Sequence, residues 1–197
     1  TRVDSLEFLS QAIDSALCNG HNGRFIIEQF LEKVGCSSDT DCFSVNSELK
    51  FASFNCQHFD LNAINPYTPS AYSWPSNMPL EKQSELRSEL QRLMKLLNMG
   101  TTIYNVETRC ATDGKAYIME CSPRGGGNRL SEILKMATGQ DLIANNIKEA
   151  LGMPVDELQD PEYKGSWAEF IIHSNNEGKF DSVQIDKAFE EKYVVQK

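Results

Sequence analysis

The chain is poor in the residues that build metal–thiolate or metal–imidazole centres. Its 197 residues include only three histidines, and none of its six cysteines (Cys18, Cys36, Cys42, Cys56, Cys110, Cys121) forms a C-x-x-C pair. A zinc site is therefore not expected. A disulfide framework is not needed at this length, so reduced thiols and a cytoplasmic setting are expected. No apolar run is long enough to span a bilayer, and no signal-peptide pattern opens the sequence. Cations are also scarce: 19 Lys and Arg stand against 28 Asp and Glu, a net charge of -9. That argues against general binding to nucleic acid or to an anionic membrane. Low-complexity tracts and internal repeats are absent as well.

What is present reads as a packed domain of mixed elements. Asp4-Ser5-Leu6-Glu7 has the form of a capping box, and Leu6, Leu9, Ile13 and Leu17 then share one helical face, predicting a helix to about Leu17. Arg24 to Leu31, "RFIIEQFL", has strand composition. "DCFSVNSELKFASF" alternates and turns at Asn46-Ser47, which predicts a hairpin. His58 to Met78 is rich in Asn, Pro, Ser and Tyr and reads as a long loop. From Pro79 a helix presents Leu86, Leu90, Leu93 and Leu97 on one face and ends near Asn98 and Gly100. Two strands flank Asp113-Gly114. Helices are predicted at about 129–137 and 141–151, with Gly152 as a stop, followed by a strand in "SWAEFIIHS". The order predicts an α+β fold with a largely antiparallel sheet.

The Asp113-Gly114 hairpin carries the chemistry. With those residues at the centre of a two-residue turn, opposed residue numbers sum to about 227. Glu107 then faces Glu120 and Asn105 faces Ser122, all four on one side. Val106, Thr108, Cys110, Tyr117, Met119 and Cys121 take the other side, which suits a core. A four-residue loop keeps this register; a three-residue loop does not. Two carboxylates directly opposed across a ladder repel. A shared proton, the nearby Arg109 and Arg124, or divalent cations would offset this, and so would simple solvation on an exposed face.

Beyond the second strand, Pro123 cannot continue the ladder as a donor. Arg124 then projects from the turn, and Gly125, Gly126 and Gly127 expose backbone amides before a helix, a setting that holds an anion or serves only as a flexible connector. The segment is not a P-loop, since no Lys-Ser/Thr follows, and it lacks the spacing of a dinucleotide fingerprint.

"NVETRCATDGKAYIMECSPRGGG" resembles the end of an ATP-grasp domain, with its Asn-x-Glu strand, turn, and Glu-x-Asn-Pro-Arg. The resemblance implies that Glu107 and Glu120 hold Mg²⁺ against the phosphates of ATP, with Ser122 in the place of the usual asparagine ligand. It implies that Arg124 contacts phosphate or an acyl phosphate. "FIIEQFL" is similar to the ATP-grasp hinge, which gives Glu28, Gln29, Phe30 and Leu31 to the adenine. Asp41, in the following hairpin, is the candidate near the sugar. "PRGGGNRLSEILKMATGQDL" resembles the branch that includes amino-acid ligases, so Gly125, Gly126 and Gly127, with Arg109, are assigned to substrate; carbamoyl phosphate synthase is a further branch of similar form. The implied fold is an ATP-grasp C-terminal lobe, a mainly antiparallel sheet flanked by helices. The implied division is the end of the small lobe at 1–24, a nucleotide- and Mg²⁺-binding core at 25–152, and a C-terminal extension at 153–197.

The implied activity is carboxylate–amine ligation with ATP and Mg²⁺, joining a small carboxylate to an amine such as an amino acid, with a homodimer as one assembly. The sequence lacks a counterpart of the upstream lobe, so a fragment of a longer enzyme, inactive by itself, is expected. A non-catalytic nucleotide-binding or assembly module is the alternative. His58 and His173 lack a ligand pattern, and Cys121 reads as core rather than nucleophile. Trp74 closes over substrate or anchors its loop.

Overall fold

The computed structural model describes residues 2–197. A short 3-10 turn (Leu6–Phe8) leads into α1 (Leu9–Asn19). Strands β1 (Ser38–Val45), β2 (Glu48–Ala52), β3 (Cys56–Phe59) and β4 (Pro69–Trp74) precede α2 (Leu80–Leu96). Strands β5 (Thr102–Cys110) and β6 (Ala116–Ser122) follow, then α3 (Leu130–Thr138), α4 (Leu142–Ala150), β7 (Trp167–Phe170) and α5 (Lys187–Tyr193). The α+β architecture has two sheets, ordered β2-β1-β5-β6 and β3-β4-β7. Every strand pairing is antiparallel.

The four-stranded sheet is covered on both faces. One face packs Cys42, Tyr104 and Val106 against Leu86, Leu90 and Met94 of α2. The other packs Phe43, Phe51 and Ile103 against Leu130 and Leu134 of α3, Leu142 of α4, and Tyr72 and Trp74 of β4. Asn46 and Ser47 both have positive φ, 50° and 65°, as the first hairpin's two-residue turn requires. Asp141 caps α4 by accepting from the Ala144 amide at 2.8 Å.

Several expectations are corrected. Arg24 to Leu31 forms no strand: β-branched composition needs a ladder partner, and this exposed segment has none among the described residues. The predicted 58–78 loop contains the end of β3 and all of β4, which their cross-strand partners stabilise despite weak strand composition. Asp4 to Glu7 forms no side-chain cap, and α1 buries no residue. On α2, Met94 is buried, whereas Leu97 follows the helix end and is 60% exposed.

The β5–β6 hairpin reaches the predicted acid pairing by another route. Its turn has three loop residues, since the Ala111 amide donates to the Lys115 carbonyl and Gly114 takes φ 81°. Pairs near the turn therefore sum to 226, as in Thr108 with Ile118. A β-bulge at Met119 restores the other register, and Glu107 faces Glu120. The cost falls on the predicted core face. Ala116 and Ile118 pack inward instead of Tyr117 and Met119; Met119 is 39% exposed, and Tyr117 donates to Asp113 at 2.6 Å.

Candidate functional site

Along β1 and β5, the face that packs on α3 changes from apolar to polar. Phe43 opposes Ile103, next Asp41 opposes Asn105, and then Asp39 opposes Glu107. Strand β6 adds Ser122 beside Asn105 and Glu120 beside Glu107. The result is a grid of two rows, Asp41–Asn105–Ser122 and Asp39–Glu107–Glu120. Side-chain alternation directs these residues to one face.

The row nearer the core is internally satisfied. Asp41 is 0% exposed. Its carboxylate accepts from the Gly126 amide at 2.8 Å, from Asn105 Nδ2 at 3.4 Å and from the Ser131 hydroxyl. Burial still pushes the Asp41 carboxyl above its usual range, against those three hydrogen bonds. Expected near a sugar, Asp41 has no exposed oxygen to offer; it anchors the glycine segment to β1. Gly126 fits this contact because it lacks a side chain. An added Cβ would lie 2.6 Å from Leu130 Cδ1, 2.7 Å from Asn105 Nδ2 and 2.9 Å from Asp41 Oδ1.

The outer row is charged and uncompensated. Among the described residues, neither Glu107 nor Glu120 takes part in a salt bridge. Burial pushes the Glu107 carboxyl up, and the charges of Asp39 and Glu120 push the same way while Arg109 opposes them. Glu120 accepts from the Ser122 hydroxyl at 2.6 Å. Asp39 accepts from Asn105 Nδ2 at 2.8 Å and from the Tyr72 hydroxyl at 3.0 Å. Arg124 is exposed at the rim, donating to Asn105 Oδ1 at 3.4 Å and to the Gly125 carbonyl at 3.0 Å. Arg109 points the other way, to Ser37 Oγ at 3.3 Å and the Leu31 carbonyl at 3.0 Å. It is thus the link between β5 and the 28–31 segment, where Glu28, Gln29 and Phe30 are exposed.

Among the described residues, no three His, Cys, Asp or Glu side chains are close enough to hold a metal by themselves. Mg²⁺ does not need that: it commonly binds one or two carboxylates, keeps water, and completes its shell with substrate phosphates. Glu107 and Glu120 supply hard oxygen donors lacking a cation, so they fit a shared site of that kind. The Cys121 thiol is pushed up by burial and by the Glu120 charge, which suits a packed residue rather than a nucleophile.

The structure sets the predicted Glu107 opposite Glu120, with Arg124 at the rim, and adds Asp39 and Tyr72, which the sequence reading did not single out. Asp39 was detectable, because period-two alternation puts it on the face of Asp41. Tyr72 gave no local signal, because its strand was read as loop.

No family model matches the chain. A 91-residue stretch is 26% identical to carnosine synthase 1 from Gallus gallus, covering 46% of this chain and 10% of that protein. Among solved structures, the L-amino acid ligase from Bacillus licheniformis superposes with TM-score 0.73 at 21% identity, over 97% of this chain and 46% of that one. Phosphoribosylglycinamide synthetase from Anaerococcus prevotii gives TM-score 0.59 at 17% identity, over 78% and 39%. The biotin carboxylase domain of the Hydrogenobacter thermophilus 2-oxoglutarate carboxylase, solved with MgADP, ADP and bicarbonate, gives 0.65 at 16% identity, over 84% and 35%. The chain therefore spans less than half of the length of each of these four proteins. These solved structures are ATP-grasp ligases, and the chain shares their α+β fold of antiparallel sheets flanked by helices.

Proposed function

We propose that this chain is the C-terminal part of an ATP- and Mg²⁺-dependent carboxylate–amine ligase that activates its carboxylate as an acyl phosphate. The observation that carries this reading is the uncompensated Glu107–Glu120 pair, flanked by Asp39 and Arg124, on an ATP-grasp fold. Glu107 and Glu120 hold Mg²⁺, which neutralises phosphate charge when bound. Ser122 orients Glu120 through its hydroxyl. Arg124 stabilises charge on the transferred phosphoryl group, and Gly125 to Gly127 border the substrate. Residues 28–31 meet the nucleotide base, and Arg109 sets their distance from the acids. A side-chain nucleophile is not required. Residues 1–24 then belong to the smaller lobe, and the chain alone does not turn over.

Glu120→Gln in the full-length protein is expected to abolish ATP turnover and leave the circular dichroism spectrum unchanged. Near-normal turnover would overturn the assignment. One observation favours a second reading, a non-catalytic nucleotide-binding module: Ser122 is a shorter ligand than the asparagine of the family pattern. That reading requires calorimetric MgATP binding without ADP release on any carboxylate and amine mixture.

A further inference from the structure

The second sheet carries a row of polar side chains that the metal and nucleotide roles leave unused. Gln57, Tyr72 and Glu169 stand opposed across β3, β4 and β7. Tyr72 is 1% exposed, and its hydroxyl donates to Asp39, the neighbour of Glu107. The Gln57 and Asn128 side chains approach the same hydroxyl. Helix α3, which follows the glycine segment, packs against β7. The row thus borders both the acid grid and the glycines.

Two acceptors in this row have no donor among the described residues. Gln57 Oε1 and Glu169 Oε2 are both shielded from solvent and unpaired, and Gln57 is only 5% exposed. Native proteins rarely leave such atoms without a partner. A nearby cation, Arg129, is committed to Glu132, with Nε 3.0 Å from Oε1. What the row lacks is a cationic group rich in donors. A primary ammonium has three N–H donors and no acceptor.

We propose that Gln57, Tyr72 and Glu169 form the subsite that receives the amine substrate as a primary ammonium ion, with Glu169 as its ion-pair partner. This rests on the ligase reading and adds to it where the amine binds. Tyr72 fixes the subsite's distance from the acid grid through Asp39. Burial pushes the Glu169 carboxyl up to about 7, with the Arg129 charge opposing and the Glu132 charge reinforcing. A docked ammonium relieves that burden.

The test uses the full-length protein with saturating ADP and Mg²⁺. Its melting midpoint is followed on adding the twenty pooled amino acids or their pooled N-acetyl forms. The amino acids should raise the wild-type midpoint and the N-acetyl forms should not. Glu169→Gln should need at least tenfold more amino acid for the same rise, with calorimetric MgADP affinity within twofold of wild type. Gln57→Leu should weaken the response at least threefold, and Glu169→Asp should retain part of it. With MgADP binding intact, three results would each overturn the subsite: no wild-type response, an equal response to N-acetyl forms, or a wild-type response from Glu169→Gln or Gln57→Leu. Loss of MgADP binding by the wild-type protein would instead overturn the ligase reading itself.

Discussion

Glu107 and Glu120 are directly opposed across β5 and β6, although the turn joining these strands would set Glu107 against Met119. The bulge at Met119 cancels the one-residue offset of the three-residue loop. Deleting Met119 should therefore leave the two acids opposed and keep Ala116 and Ile118 inward. The variant is expected to fold, at a cost below about 2 kcal/mol in urea denaturation. Collapse of the native state would show that the bulge has a further structural task.

Adjacent glycines should respond differently to the same substitution. Gly126→Ala forces a Cβ against Leu130, Asn105 and Asp41, whereas an added Cβ at Gly127 meets nothing within 4 Å. The first change is expected to destabilise by about 1–3 kcal/mol. The second should stay within about 0.5 kcal/mol of wild type. Chemical denaturation of both variants checks this directly.

Mg²⁺ and nucleotide should bind as linked ligands. Among the described residues no three His, Cys, Asp or Glu side chains could hold a metal by themselves, even with Asp39 opposed to Glu107, so phosphates must complete the coordination. Titrating the full-length protein with Mg²⁺ alone is expected to give no heat at micromolar concentrations, while Mg²⁺ in the presence of ADP gives clear binding. Tight binding of Mg²⁺ by itself would contradict this division of ligands.

Glu169 sets a pH dependence of stability. Its carboxyl is raised to about 7 in the folded chain by burial, from an ordinary value of 4.5. The folded state therefore favours the protonated form. The associated stability is full below the unfolded value and is lost as pH rises through about 7. Glu169→Gln keeps a neutral side chain throughout, so its melting point should exceed that of wild type at pH 8. The difference should vanish near pH 4.5.

The legible parts of the sequence were those set by local chemistry. The Asp113-Gly114 turn marked the hairpin, and the 3.6-residue period of Leu86 and Leu90 marked α2. Pairings between distant segments were not legible. The strand character of "PSAYSW" comes from β3 and β7, which flank it on both edges. "RFIIEQFL" has better strand composition and forms none, since it joins neither sheet. Asp39 and Asp41 share an alternation pattern, and only the pairing with β5 and the packing of the glycine segment decide which one is buried. The opposition of Glu107 and Glu120 was legible because one turn holds both in one hairpin; the pairing of Tyr72 with Glu169 was not, because β4 and β7 are far apart in sequence.

The Asp41–Gly126 hydrogen bond has a consequence for how the chain folds. Its partners are 85 residues apart, and the Asn105–Asp41 bond spans 64. The β1–β2 and β5–β6 hairpins close over short loops, but docking β1 on β5 requires closing a chain of about sixty residues, at a greater entropic cost. Topology of this kind slows folding. Both hairpins can therefore exist before the grid does. An intermediate with the hairpins formed but undocked would contain all the strands of the larger sheet and the Glu107–Glu120 pair, but neither Asp39 beside it nor the Asp41 anchor of the glycine segment.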